Sequence, residues 1–126
     1  MKKEIYQDTE LLKRILCYSS APQAIAVTEE MVDYLFKDSN EVILLTGIGQ
    51  SLSEIVTSMT IEDAVNDVHQ KVIVLVRTPE EHQLTVSELS HISNLVAQFP
   101  TEIDVCYGMA TSKEQDNKIT LLIAIS

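Results

Sequence analysis

Five consecutive aliphatic residues stand between two basic ones in Lys71-Val-Ile-Val-Leu-Val-Arg77. Because side chains alternate between the two faces of a strand, this run is apolar on both faces. The pattern is typical of a central strand that is covered on both sides, or covered on one side and paired on the other. Pro79 cannot donate to a ladder of hydrogen bonds, and we expect the strand to end there.

The segment that follows predicts a helix with a well-defined start. Thr85 and Glu88 have the spacing of a capping box, and Leu84, just before the cap, can pack on Leu89 as a hydrophobic staple. Apolar residues then recur at helical spacing until Pro100, namely Val86, Leu89, Ile92, Val96 and Phe99.

Three further segments have the character of strands. Residues 41–47, Glu-Val-Ile-Leu-Leu-Thr-Gly, predict a strand that Gly47 and Gly49 stop with a sharp turn. The Gly-x-Gly spacing also weakly resembles a nucleotide-binding loop. Residues 103–109 and 119–125 both alternate in the manner of strands, and a polar segment separates them. We expect these last two strands to form an antiparallel hairpin with a long connection.

The remaining segments predict helices. Residues 8–20 carry Asp8 as a possible N-cap, and Cys17 falls in the same segment. The apolar stripe of this helix consists of Leu11, Leu12, Ile15 and Leu16. A second helix is predicted to begin at Thr28, with two acids in its first turn. Residues 51–69 have a helical period with a break in phase at Thr60, which predicts a kink or two short helices.

This order of elements predicts an α+β fold, an α/β sandwich in which helices pack against a four-stranded mixed sheet. The 126 residues and 14.1 kDa fit one compact domain. Within it we assign residues 1–27 to an N-terminal helix and linker, and residues 28–126 to the α/β domain proper.

Charge and composition exclude several classes of function. Nineteen acidic and nine basic residues give a formal net charge of −10, which disfavours nucleic acid as a partner. Three glycines are too few for most glycine-rich phosphate-binding loops. No apolar run approaches the length of about 20 residues that spans a bilayer, so no membrane association is expected. The two cysteines are expected to be reduced core residues of a cytoplasmic protein.

The reactive residues do not form a recognisable active site. His69 falls at a helix end, His82 in a polar loop and His91 on a face expected to be exposed, and no two histidines are paired. Glu29 and Asp33 are four residues apart, so both carboxylates share one helix face. They could hold a divalent cation, or they could belong to an ordinary solvated face. No cofactor and no metal are expected.

Several motifs in the second half resemble a known family. Residues 83–90, Gln-Leu-Thr-Val-Ser-Glu-Leu-Ser, are similar to the family's capped helix "D-L-T-L-x-E", and residues 103–110, Ile-Asp-Val-Cys-Tyr-Gly-Met-Ala, follow as its next strand. Residues 116–126, Asp-Asn-Lys-Ile-Thr-Leu-Leu-Ile-Ala-Ile-Ser, fit its final strand. Residues 43–49 and 71–77 resemble its "A-M-M-G-T-G" and "G-V-L-V-N-I" segments. The family is FtsZ, the bacterial tubulin-like cell-division GTPase, and the similar part is its C-terminal domain.

This resemblance covers residues 28–126 and implies a stand-alone domain of the FtsZ/tubulin C-terminal type. The family's GTP-binding domain, with its "G-G-G-T-G-T-G" loop, has no counterpart in the chain, so no GTP binding through that site is expected. The family also has an acidic loop, "N-x-D-F-A-D", that reaches the nucleotide of the next subunit and activates the hydrolytic water. It aligns with residues 28–33, where Glu30 and Asp33 match the acids and Thr28 replaces the asparagine.

Three functions are compatible with these observations. The first is a non-enzymatic interaction or assembly module that self-associates or docks on a tubulin/FtsZ-type GTPase. The second is a regulatory domain that binds a small molecule in a pocket at an oligomer seam. The third is an enzyme completed by oligomerisation, with Glu30, Asp33 and His69 as candidate residues. The resemblance favours the first, and in it the same two acids and Thr28 are the candidate partner-activating residues.

Overall fold

A single mixed sheet with helices on both faces forms the protein in a computed structural model, which describes residues 2–18, 27–37, 39–59, 71–79, 85–99, 103–112 and 118–126. Its five strands are β1 (Lys2–Tyr6), β2 (Val42–Gly49), β3 (Lys71–Pro79), β4 (Asp104–Ser112) and β5 (Ile119–Ile125). The helices are α1 (Thr9–Lys13), which continues as a π-helical segment (Arg14–Tyr18), α2 (Glu29–Phe36), α3 (Leu52–Ser58) and α4 (Val86–Val96). The predicted α+β class is confirmed, with five strands in place of four.

The strands lie in the order β1-β2-β5-β3-β4. β5 is antiparallel to both of its neighbours, β2 and β3, whereas β4 runs parallel to β3. The predicted hairpin of the last two strands is therefore wrong. The physical reason lies in burial, because all but one of the β5 residues are buried, which suits a central position. Most residues of β4 are exposed or half-buried, which suits an edge.

β1 is the strand that the sequence pattern did not predict. It pairs antiparallel with β2, from Lys2 opposite Thr46 to Tyr6 opposite Val42. Alternate side chains of β1 contact each other on one face. Glu4 forms a salt bridge with Lys2 at 2.7 Å and accepts a hydrogen bond from the Tyr6 hydroxyl at 2.6 Å. Three of its five residues are charged, so it lacks the apolar alternation by which strands are recognised.

Two apolar layers hold the helices against the sheet. One layer packs α3 and α4 on one face, through Leu52, Ile55, Ile92, Leu95 and Phe99 against Leu45, Val72, Val74, Val76, Leu121 and Ile123. The other packs α1, its π-helical extension and α2 on the opposite face, through Leu12, Leu16, Val32 and Leu35 against Leu44, Ile73, Leu75, Leu122 and Ala124. Arg77 of β3 also donates a hydrogen bond to the carbonyl of Ile15 in the π-helical segment. The central strands are therefore covered on both sides, as the apolar run 71–77 predicted.

β2 continues through Gly47 and ends at Gly49, so the predicted stop is wrong at Gly47 and right at Gly49. A β-carbon at Gly47 would lie 2.6 Å from Cγ2 of Ile55, and one at Gly49 would lie 2.9 Å from its Cγ1. Both distances are well inside ordinary van der Waals contact. Glycine is needed here because α3 packs closely on the strand, and residues 46–49 are not a phosphate-binding loop.

The helix starts follow the predicted caps. Asp8 accepts from the amide of Glu10 at 2.9 Å, and Thr85 and Glu88 form the full capping box. α3 begins after Ser51, whose side chain accepts from the amide of Glu54. The staple from Leu84 and the kink at Thr60 lie outside the described residues. Among the helices that are described, none is long and apolar enough to cross a membrane.

Candidate functional site

The first turn of α2 carries the acidic residues that the sequence singled out. Thr28 is its N-cap, with extended backbone angles, and its hydroxyl accepts from the amide of Met31 at 3.3 Å. Glu29 and Glu30 follow in the first turn, and both side chains are exposed. Carboxylates at this position are stabilised by the partial positive charge of the helix N-terminus. The local sequence therefore fixes the helix start and presents the two carboxylates to solvent.

Asp33 lies one turn further along α2 and is already paired. Its Oδ1 is 2.9 Å from Nζ of Lys13 in α1, and the Asp33 side chain is 57% exposed. The Lys13 side chain is buried except for 11% of its surface, and its Nζ is also 3.6 Å from Oε1 of Glu10. The hydrogen bond to Asp33 raises the pKa of Lys13, against the opposing effect of burial. α1 therefore supplies a permanent positive charge to the acid that the family resemblance singled out.

Cys17 lies close to this group. It is a free, half-buried thiol, and burial together with the charge of Glu29 raises its pKa. A raised pKa disfavours the thiolate, so Cys17 is not poised as a nucleophile. Cys106 on β4 is likewise free and half-buried against the same apolar layer. Both cysteines are partly buried rather than fully enclosed.

The C-terminal half of α2 makes a second set of polar contacts that the sequence did not predict. The hydroxyl of Tyr34 donates to Oδ2 of Asp104 on β4 at 2.8 Å. Nζ of Lys71 on β3 donates to the carbonyl of Tyr34 at 2.9 Å and lies 4.2 Å from the centre of its ring, a cation–π distance. No local signal reveals these contacts, because the partners lie 37 and 70 residues away in the chain.

Together these contacts fix the orientation of α2. Lys13 joins Asp33 of α2 to α1, and the neighbouring Tyr34 joins the helix to two strands. Thr28, Glu30 and Asp33 lie within the first two turns of one rigid helix, as their spacing predicted. This arrangement holds exposed carboxylates at a fixed angle to the sheet. They can bind a cation, a water molecule or a basic surface.

The histidines do not join this site within the described residues. His91 is half-buried on α4, rather than exposed as predicted, and α4 covers the opposite face of the sheet. His69 and His82 lie outside the described residues. Among the residues whose placement is described, no group of three His, Cys, Asp or Glu side chains could hold a metal ion.

The strand order, the parallel β3–β4 pair and the helices on both faces define an α+β fold of the FtsZ/tubulin C-terminal-domain type. A tryptophan-to-tyrosine mutant of FtsZ from M. jannaschii superposes with a TM-score of 0.60 at 18% sequence identity, covering 83% of this chain and 33% of that one. The empty FtsZ dimer from the same organism gives a TM-score of 0.56 at 17% identity, covering 82% and 32%. This chain thus spans about a third of the length of those proteins. No protein-family model and no curated protein matches the sequence. The predicted fold is confirmed.

Proposed function

We propose that this protein is a non-enzymatic interaction or assembly module of the cytoplasm that self-associates or docks on a tubulin/FtsZ-type GTPase. One observation carries the proposal, namely that 83% of the chain adopts a fold found in FtsZ while spanning only 33% of the FtsZ chain. In those proteins a domain of this fold is one part of a longer chain, which supports a surface suited to a protein partner here. The two free cysteines are consistent with a reducing compartment.

The acidic start of α2 is the proposed contact with a GTPase. In the family that the sequence resembles, the corresponding acids approach the nucleotide of a neighbouring subunit. Glu30 is exposed and is the residue best placed to do so here. Asp33 contributes less, because Lys13 already neutralises it. The proposed role is therefore docking, with an effect on the partner's GTP turnover that depends mainly on Glu30.

Sedimentation velocity of the pure protein, alone and mixed with purified FtsZ and GTP, tests the proposal when phosphate release is followed in parallel. We expect co-sedimentation and an altered rate of phosphate release. The Glu30→Ala/Asp33→Ala variant should weaken co-sedimentation at least about tenfold, since truncation of central charged contacts commonly has that effect. A matched variant, Glu41→Ala/Glu54→Ala, removes the same charge from exposed positions elsewhere and should bind normally.

The outcomes separate the parts of the proposal. Equal weakening by both double variants would show that only net charge matters, and would remove the acidic start of α2 from the proposal. A protein that stays monomeric, does not co-sediment and leaves phosphate release unchanged would overturn the proposal as a whole.

A further inference from the structure

The two edges of the sheet differ in how well they are protected against pairing with another strand. β1, at one edge, is five residues long and carries Lys2, Lys3 and Glu4. Short, charged edge strands are a common device by which proteins prevent sheet-to-sheet association, because pairing would desolvate the charges. β1 is therefore a guarded edge.

β4, at the other edge, has none of these devices. It is nine residues long, Asp-Val-Cys-Tyr-Gly-Met-Ala-Thr-Ser, and contains neither lysine nor proline. Its one charged residue, Asp104, accepts a hydrogen bond from Tyr34 on the α2 face. Tyr107 is 45% exposed on the opposite face. All nine residues pair with β3 on one side, and within the described residues no strand pairs with the other side. A long edge with a single charged residue at its start and an exposed aromatic residue near its middle is the kind that adds a further strand.

We propose that the occupant is a second copy of this chain, with β4 pairing antiparallel to β4 about a two-fold axis at Gly108. The proposal rests on the proposed self-association and names the surface responsible. Gly108 is the midpoint of the strand, so all nine residues can pair. Tyr107 then lies opposite the partner's Met109, an aromatic–thioether pair that covers the exposed ring. Asp104 lies opposite the partner's Ser112, so no like charges face each other.

Charge selects this edge for self-association. Two copies that each carry a net charge of −10 repel, and they approach at lowest cost through a surface that carries few charges. α4 lies on the same face of the sheet as Tyr107. Its one acidic residue, Glu88, is half-buried in the capping box, and Val86 and Leu89 are 86% and 39% exposed. In contrast, α2 exposes Glu29, Glu30 and Asp33 on the opposite face of the sheet.

The size of the contact predicts a weak dimer. A nine-residue strand is roughly 30 Å long, and a strip about 10 Å wide along it would bury about 300 Å² on each copy. This is below the roughly 800 Å² per partner of a standard stable interface. The expected dissociation constant is therefore in the micromolar range. Contact between the α4 helices of the two copies would make the dimer tighter.

Lysine substitutions at the two edges test the assignment. Sedimentation velocity between about 1 and 300 μM should show a reversible dimer for the wild-type chain. Tyr107→Lys should weaken it at least about 30-fold, because it introduces two charges beside the axis. Ile5→Lys is the matched control, since Ile5 is a 58% exposed apolar residue on the guarded edge, and it should dimerise as the wild type does. Circular dichroism checks that both variants fold.

A disulfide tests the register. In the proposed pairing, Cys106 lies opposite the partner's residue 110, so Ala110→Cys in a Cys17→Ser background should give an inter-chain disulfide on mild oxidation. The same protein with Cys106→Ala should not. Three outcomes would overturn the inference: a wild-type chain that is monomeric at 300 μM, a Tyr107→Lys variant that dimerises normally, or an equal loss of dimer in Ile5→Lys. The proposed function would still stand if the Tyr107→Lys variant dimerised normally, or if the wild-type chain were a monomer that binds FtsZ.

Discussion

Replacement of Gly47 by alanine tests how α3 is held against the sheet. The added β-carbon would lie 2.6 Å from Cγ2 of Ile55 and 3.3 Å from Sδ of Met59. Ordinary carbon–carbon contacts are about 3.5–4.0 Å, so α3 or β2 must move by roughly 1 Å. Overpacking of this kind costs about 1–3 kcal/mol. At Gly49 the corresponding distance to Ile55 Cγ1 is 2.9 Å, and the expected loss from Gly49→Ala is smaller.

Urea denaturation followed by circular dichroism measures these losses, and a second substitution identifies their cause. Ile55→Leu removes the Cγ2 methyl group while conserving volume, and by itself should cost less than about 1.5 kcal/mol. In that background Gly47→Ala should be less destabilising by at least about 1 kcal/mol, because the clashing atom is gone. A Gly47→Ala protein within about 0.5 kcal/mol of the wild type, or an equal loss in both backgrounds, would refute close packing as the reason for the glycine.

Three further changes probe other elements. Thr85→Ala removes the capping box of α4 and should lower the free energy of unfolding by about 1 kcal/mol, and a change near zero in thermal denaturation would contradict the cap. The hydrogen bond to Glu4 raises the pKa of Tyr6 to about 12 from 10.0. The folded state therefore keeps the phenol proton up to a higher pH than the unfolded state does. The resulting contribution to the free energy of unfolding is fully present below pH 10 and is lost as the pH rises through 12. Tyr6→Phe should abolish this alkaline loss and should remove from an absorbance titration a phenol that ionises near pH 12, whereas loss of a phenol that ionises near pH 10 would exclude the contact. Leu12→Ala should cost about 2–5 kcal/mol in a single transition, since the side chain is fully buried, and two separate transitions would show that the α1 segment unfolds alone.

The parts of the fold that the sequence predicted are those that depend on local interactions. The caps at Asp8, Thr28 and Thr85 act within three residues, and the structure contains all three. The apolar central strand β3 also follows directly from its periodicity. The predicted stripe of α4 is right for Ile92, Val96 and Phe99, which pack on the sheet, and wrong for Val86 and Leu89, which are exposed. Each of these features is determined by a short window of residues, whatever the rest of the chain does.

The parts that the sequence did not predict depend on distant partners. β1 is held by its pairing with β2, whose first residue lies 36 positions beyond Tyr6 at Val42, and its own composition resembles a polar coil. β5 joins β2 to β3, rather than pairing with the strand that precedes it in the chain. A periodicity identifies a strand but does not select its neighbours, because many pairings bury the same apolar face.

The candidate site divides in the same way. The exposed acids at the start of α2 follow from the local sequence, and the helix begins after Thr28 as predicted. The partner-activating role of Thr28, Glu30 and Asp33 stays a prediction. The neutralisation of Asp33 requires Lys13, which is contributed by a different helix on the same face. The Tyr34–Asp104 hydrogen bond spans 70 residues. These contacts decide how much charge the site presents, and only the assembled fold determines them.

The central position of β5 has a consequence for the order in which the molecule can be built. β1 and β2 form one half of the sheet, β3 and β4 the other, and β5 alone joins the halves. During translation at about 5–20 residues per second, the finished β2 waits roughly 4 to 15 s for the last residue of β5 to be added. Until then the apolar flank that β2 will offer to β5 has no strand to cover it. The nascent chain is therefore expected to be a ligand of ribosome-associated chaperones throughout that interval, and to release them when β5 emerges from the exit tunnel.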